Sequence, residues 1–150
     1  MCDRESRISV LKVVCPRVDP SYPPCYNVFE MAKILLIEDI DDNAALVQKV
    51  LAARGHEVIW ARNGETGLEL ASAQPPALIL LDLGLPDIDG QTLVRYLRNL
   101  DELERVPIIV VTAWPEETAK MMVTAYGCDG YIGKPVDIHR LTGMVEEHLR

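Results

Sequence analysis

The chain has 150 residues, long enough for one compact domain, and 49% of them are hydrophobic, enough for a substantial core. Its formal net charge of −8 has the wrong sign for a nucleic-acid surface, which needs clustered Lys and Arg to neutralise phosphates. No apolar run approaches the roughly 20 residues of a membrane-spanning helix. MCDRESRISVLKVVC also lacks the basic start and unbroken apolar core of a secretion signal, so the expectation is a cytoplasmic protein acting on neither membrane nor nucleic acid.

Residues 1–30 differ from the rest. Pro16, Pro20, Pro23 and Pro24 interrupt any pattern, leaving ISVLKVV as the one strand-like run. Positive and negative charges balance there, so the whole acidic excess belongs to residues 31–150. This stretch reads as a poorly ordered N-terminal extension, or as sequence upstream of a natural start at Met31. Cys2, Cys15, Cys25 and Cys128 form no CxxC pair and have no His at zinc spacing. They read as free thiols in a reducing compartment.

From Lys33 onward, apolar strands alternate with amphipathic helices. KILLIE is the first strand. The spacing predicts a helix over 41–54 with Leu46, Val47, Val50 and Leu51 on one face. Asp41 and Asp42 lie in its first turn, where negative charge is favoured, and Gly55 ends it. EVIWA is the second strand, and Asn63 can cap a helix reaching Ala73, weakened by Gly64 and Gly67.

ALILL is the third strand, running straight into Asp82. Pro86 stiffens the following loop, and Gly90 reads as backbone freedom where the next helix starts. Asp89 can cap that helix, which carries Leu93, Val94 and Leu97. VPIIVV is the fourth strand, Pro115 suits a first helical position, and Glu116 and Glu117 follow it. GYIG makes a fifth strand. The last helix opens at Asp137, with Val136 and Leu141 spaced as a hydrophobic staple.

Strands without polar alternation, separated by helices, predict an α/β fold: a doubly wound five-stranded parallel sheet flanked by five helices. Ligands of such sheets sit beyond the carboxyl ends of the strands. At those ends the sequence has Glu38 and Asp39, Asp82, Thr112 and Lys134. Any one of them alone is more readily a cap, a strand-end hydroxyl or a surface lysine. Together they form a carboxylate cluster suited to Mg²⁺, with a hydroxyl and an ammonium suited to a phosphoryl group.

ILLIED, LLDLGLPDIDG, IIVVTA and YIGKP, in that order, resemble the receiver domain of bacterial two-component response regulators, the CheY-like superfamily, over residues 31–150. GCDGYIGKP is similar to single-domain receivers of the DivK type. The resemblance implies that Asp82 accepts the phosphoryl group. It implies that Asp39 and Asp82 ligate Mg²⁺, with Glu38 acting through a bound water and Gly84 through its carbonyl. Lys134 and Thr112 would hold the phosphoryl oxygens, Tyr131 would be an aromatic switch, and the bond before Pro135 would be cis.

The implied partners are a sensor histidine kinase or histidine phosphotransfer protein, and a downstream protein reading a face that includes Glu117, Met121, Tyr126 and Tyr131. The sequence ends with the last helix, so a stand-alone switch, rather than a turnover enzyme, is the expectation. Gly84, Ala113 and Trp114 stand where the family tunes water access. The small Gly84 and bulky Trp114 predict slow self-dephosphorylation. A phosphohydrolase of similar architecture would place a second acid two residues after its nucleophile, where this chain has Gly84. A nucleotide-binding enzyme would need a glycine-rich phosphate loop, which is missing. A receiver that binds partners without ever being phosphorylated is the remaining alternative.

Overall fold

Five apolar segments of the sequence become the strands of one sheet in the computed structural model, which describes residues 32–149. They are β1 (Lys33–Ile37), β2 (Glu57–Ala61), β3 (Leu78–Asp82), β4 (Ile108–Thr112) and β5 (Gly130–Gly133). All pairings are parallel, in the order β2-β1-β3-β4-β5. Five helices cover the two faces: α1 (Asp41–Ala53), α2 (Gly64–Ala73), α3 (Gly90–Arg98), α4 (Glu116–Tyr126) and α5 (Ile138–Leu149). The Pro-rich start and ISVLKVV lie outside the described residues.

Burial explains why the strands lack alternation. Leu78, Ile79, Leu80 and Leu81 are all fully buried, alternately feeding the two layers of core. Removing each such side chain from water is worth about 1.5–3 kcal/mol. One layer lies under α2 and α3, with Leu35, Ile37, Leu93, Leu97 and Ile108. The other lies under α1 and α5, with Ile34, Leu36, Val47, Leu51, Leu141 and Val145.

Helix boundaries follow local chemistry. The Asn63 side chain accepts from Thr66 N–H, and Asp89 from Thr92 N–H, so both predicted caps are present. Asp137 accepts from Arg140 N–H at 3.0 Å, and Val136 packs on the layer that holds Leu141. Gly55 follows α1 with φ +87°, a left-handed turn open to glycine.

Four local readings need correction. α1 ends at Ala53 and buries Ala44, Val47 and Leu51, while Leu46 is exposed on its flank. Pro115 stands just before α4 with extended ψ of 147°, so Glu116 is the first helical residue. Gly90 has no positive φ; a Cβ there would come within 2.2 Å of the Leu83 side chain, so it supplies space rather than freedom. Gly67 likewise admits Ile37, whose side chain would lie 2.5 Å from a Cβ, and this close packing sets against the weakened helix.

The order β2-β1-β3 reverses direction between β1 and β3. That is the topological switch point, where a crevice opens beyond the strand ends. β1 and β3 are the two strands that end in acids.

Candidate functional site

β1 delivers Glu38 and Asp39 to the crevice, and β3 ends on Asp82 beside them. β4 ends on Thr112, and Lys134 follows β5. β1, β3 and β4 are fixed by burial on both faces, so the end groups they carry are held on a stiff support. Glu38, Asp82 and Thr112 are themselves only 3%, 5% and 2% exposed. One carboxylate oxygen from each of Glu38, Asp39 and Asp82 lies within 4.8 Å of the others. The Lys134 ammonium bridges two of them, 3.2 Å from Glu38 Oε2 and 3.2 Å from Asp82 Oδ2.

Three carboxylates facing one ammonium leave the group short of positive charge. Burial raises the Glu38 carboxyl to about 7, and the hydrogen bond and charge of Asp82 push the same way. The Ile40 N–H and Lys134 oppose that rise. Asp82 Oδ1 accepts from the Gly84 N–H at 2.9 Å. Asp39 Oδ1 is buried and has no hydrogen-bond partner. A buried carboxylate oxygen without a donor is costly, and a cation would relieve it. The donor set is oxygen only, as a hard divalent ion prefers. These residues therefore fit a metal ion.

Residues 34–146 match the response regulator receiver domain family. The chain belongs to that family. It is 34% identical over 116 residues to the polar-differentiation response regulator DivK of Brucella anthropi, covering 77% of this chain and 94% of the relative. Among solved structures, the chemotaxis response regulator CheY4 of Vibrio cholerae superposes with a TM-score of 0.75 at 25% identity, over 79% of this chain and 98% of that one. The receiver domain of a Pseudomonas aeruginosa sensor histidine kinase superposes with a TM-score of 0.73 at 28% identity, over 79% and 98% of the two chains. In that structure a magnesium ion is coordinated in the active-site cleft. The protein is thus a receiver domain of two-component signal transduction.

The residues expected to tune the receiver's centre lie on or just after β3, β4 and β5. The Thr112 hydroxyl accepts from the Trp114 N–H at 3.0 Å, which ties the strand end to the β4–α4 loop. Trp114 is 44% exposed, and Ala113 is exposed beside it. A Cβ on Gly84 would lie 3.6 Å from Asp82 Oδ1, so any side chain there would stand against the carboxylate. The Lys134–Pro135 bond is cis. Tyr131 is half-buried, its hydroxyl 3.0 Å from Glu116 Oε1 and Arg140 stacked 5.2 Å from its ring centre.

On the expected partner face, Glu117 is exposed and Met121 is 72% exposed, whereas Tyr126 packs partly on the core. The adjacent methionines therefore divide, with Met121 outward and Met122 half-buried. No helix among the described residues is long and apolar enough to cross a membrane.

Sequence reading missed two supports of this receiver's site. Asp87, in the loop after Asp82, accepts from the N–H groups of Gly64 and Glu65 at 2.9 Å each, capping α2 from a distance. Slight burial pushes its carboxyl up, but these backbone donors outweigh that and hold it below the ordinary carboxylate range. The loop that follows the central acid is thereby tied to a neighbouring helix. Trp60, on β2, donates its indole N–H to the Glu38 carbonyl at 2.8 Å. Asp87 follows the pattern of an acid near a helix start, displaced in sequence; Trp60 left no spacing signal.

Proposed function

We propose that this receiver accepts a phosphoryl group on Asp82 from a histidine kinase or histidine phosphotransfer protein and conveys its state to a protein partner. The observation that carries the reading is the Lys134 ammonium bridging Glu38 and the buried Asp82 at a rigid strand end. Glu38, Asp39, Asp82 and the Gly84 carbonyl would hold Mg²⁺, in keeping with the magnesium ion in the Pseudomonas receiver. Bound there, the ion supplies positive charge to the phosphoryl oxygens as transfer proceeds.

The chain's own residues do the rest. A carboxylate oxygen of Asp82 attacks phosphorus as the donor's phosphorus–nitrogen bond breaks, and the imidazole departs with the electron pair. Lys134 exchanges its contact with Asp82 for one with a phosphoryl oxygen. The Thr112 hydroxyl, which accepts from Trp114 N–H before transfer, turns to donate to another. A phosphoryl group adds roughly two negative charges and three acceptors. The β4–α4 loop loses its hold on Thr112, and Glu116, the first residue of α4 after that loop, accepts the bond from Tyr131. The change therefore reaches the α4–β5–α5 face, where a partner reads it.

Intact mass after incubation with acetyl phosphate tests the reading. Wild type with Mg²⁺ should gain one phosphoryl group, while Asp82→Asn, or wild type with EDTA, should gain none. No gain from acetyl phosphate, nor from any cognate-candidate histidine kinase, would favour a constitutive binding module.

A further inference from the structure

We infer that Trp60 is a positioning residue for the cation site: its indole N–H clamps the peptide of Glu38 so that Glu38 and Asp39 face the crevice in register. The inference rests on the metal-dependent reading above and adds to it a residue from the edge strand β2.

The β1–β2 ladder ends with Ile37 opposite Ala61. Beyond it, the Glu38 N–H still donates to the Ala61 carbonyl at 3.0 Å. The Glu38 carbonyl has no continuing strand opposite it, because Asn63 already caps α2. The Trp60 indole takes that place, donating at 2.8 Å. The backbone N–H and the backbone carbonyl of Glu38 are thus both held by β2, one by backbone and one by side chain.

The clamp is itself braced. The Arg62 guanidinium lies 4.3 Å from the Trp60 ring centre, in a cation–π contact. The same Arg62 pairs with Asp41 Oδ1 at 2.6 Å, at the first residue of α1. The pair is well exposed, with side chains 62% and 68% accessible, so its worth lies in fixing the guanidinium rather than in stability. Residues 38–41 are consequently gripped at both ends, at Glu38 by Trp60 and at Asp41 by Arg62. Asp39, with its orphaned buried oxygen, lies between the grips.

Trp60 also packs against the core layer under α1, so its ring has an ordinary structural role as well. Trp60→Phe keeps a ring for that packing and for Arg62 but removes the N–H. Outer partners of metal ligands typically control 10–100-fold in affinity. Trp60→Phe should therefore weaken Mg²⁺ binding, measured by calorimetry, about 10-fold, the low end of that range because the indole holds the backbone beside the ligands rather than a ligand atom itself. Phosphoryl uptake by the variant should fall at limiting Mg²⁺ and recover as Mg²⁺ is raised. Mg²⁺ affinity within about twofold of wild type, even with a lowered melting temperature, would overturn the inference and leave the packing role alone.

Should the variant fail to fold, the wild-type indole N–H resonance of Trp60 decides, assigned against Trp114→Phe by NMR. It should move with Mg²⁺ and saturate with the calorimetric affinity; a resonance indifferent to Mg²⁺ would overturn the clamp. A wild type that binds no Mg²⁺ would instead overturn the metal reading itself, and the clamp with it.

Discussion

α3 and α4 are neighbours in the chain and similar in length, yet the protein uses them in opposite ways. α3 buries Gly90, Leu93, Val94 and Leu97 and is capped by Asp89. Its last residue, Arg98, donates to the carbonyls of Leu103, Val106 and Gly127 and pairs with Asp129 at 2.8 Å. α4 buries Ala119 alone, has no side-chain cap at its start, and leaves Met121 in solvent. Few buried apolar contacts mean a low free energy of local opening. The site therefore stands between a stiff prop and a loosely seated helix, and the loop from Thr112 to Glu116 leads to the loose one.

The largest test of this contrast is thermodynamic. Leu97→Ala removes a fully buried side chain and should cost about 2–5 kcal/mol in urea unfolding. Met121→Ala, at the other extreme of exposure, should stay within about 0.5 kcal/mol. Equal losses would show that α4 is anchored as firmly as α3.

A chemical probe sharpens the comparison at the end of α4. Cys128 follows the Gly127 C-cap and packs on the core layer beneath α3. Burial raises its thiol from 9.0 to about 11. A raised thiol pKa lowers the thiolate population at a given pH, here by about 100-fold at pH 8, and the thiolate is the reactive form. With Cys2, Cys15 and Cys25 replaced by Ser, iodoacetamide should alkylate Cys128 far more slowly than glutathione. Rates close to glutathione's would mean that this end of α4 opens freely from the layer below.

Much of this was legible in advance, for identifiable reasons. The strands read clearly because burial on both faces demands unbroken apolar runs such as LILL. Asn63 and Asp89 read clearly because a cap acts on the amide three residues on. The acids, Thr112 and Lys134 could be assembled because parallel topology brings all strand ends to one edge. Leu46 misled because helical spacing yields a stripe without stating how wide the buried part is. Gly90 misled because a glycine used for space looks like one used for freedom until Leu83 is beside it. Trp60 was invisible because a side chain reaching across a ladder end follows from register and rotamer, which no sequence period encodes.

A smaller effect concerns the loop that joins the site to α4. Trp114 is large, apolar and 44% exposed in that loop, and Gly84, beside Asp82, offers no polar side chain. Trp114→Asn should shorten the lifetime of the aspartyl phosphate severalfold, followed as loss of the phosphoryl mass. An unchanged or longer lifetime would remove Trp114 from the control of water access.

The central claim is that a phosphoryl group on Asp82 is converted into a change on the loosely seated side of the molecule. Amide hydrogen exchange on wild type, before and after phosphorylation verified by mass, tests it most directly. The account predicts altered exchange in α4 and β5, around Glu116, Met121 and Tyr131, with α3 unchanged. Identical exchange in α4 and β5 at full phosphorylation, or a change confined to α3, would contradict it.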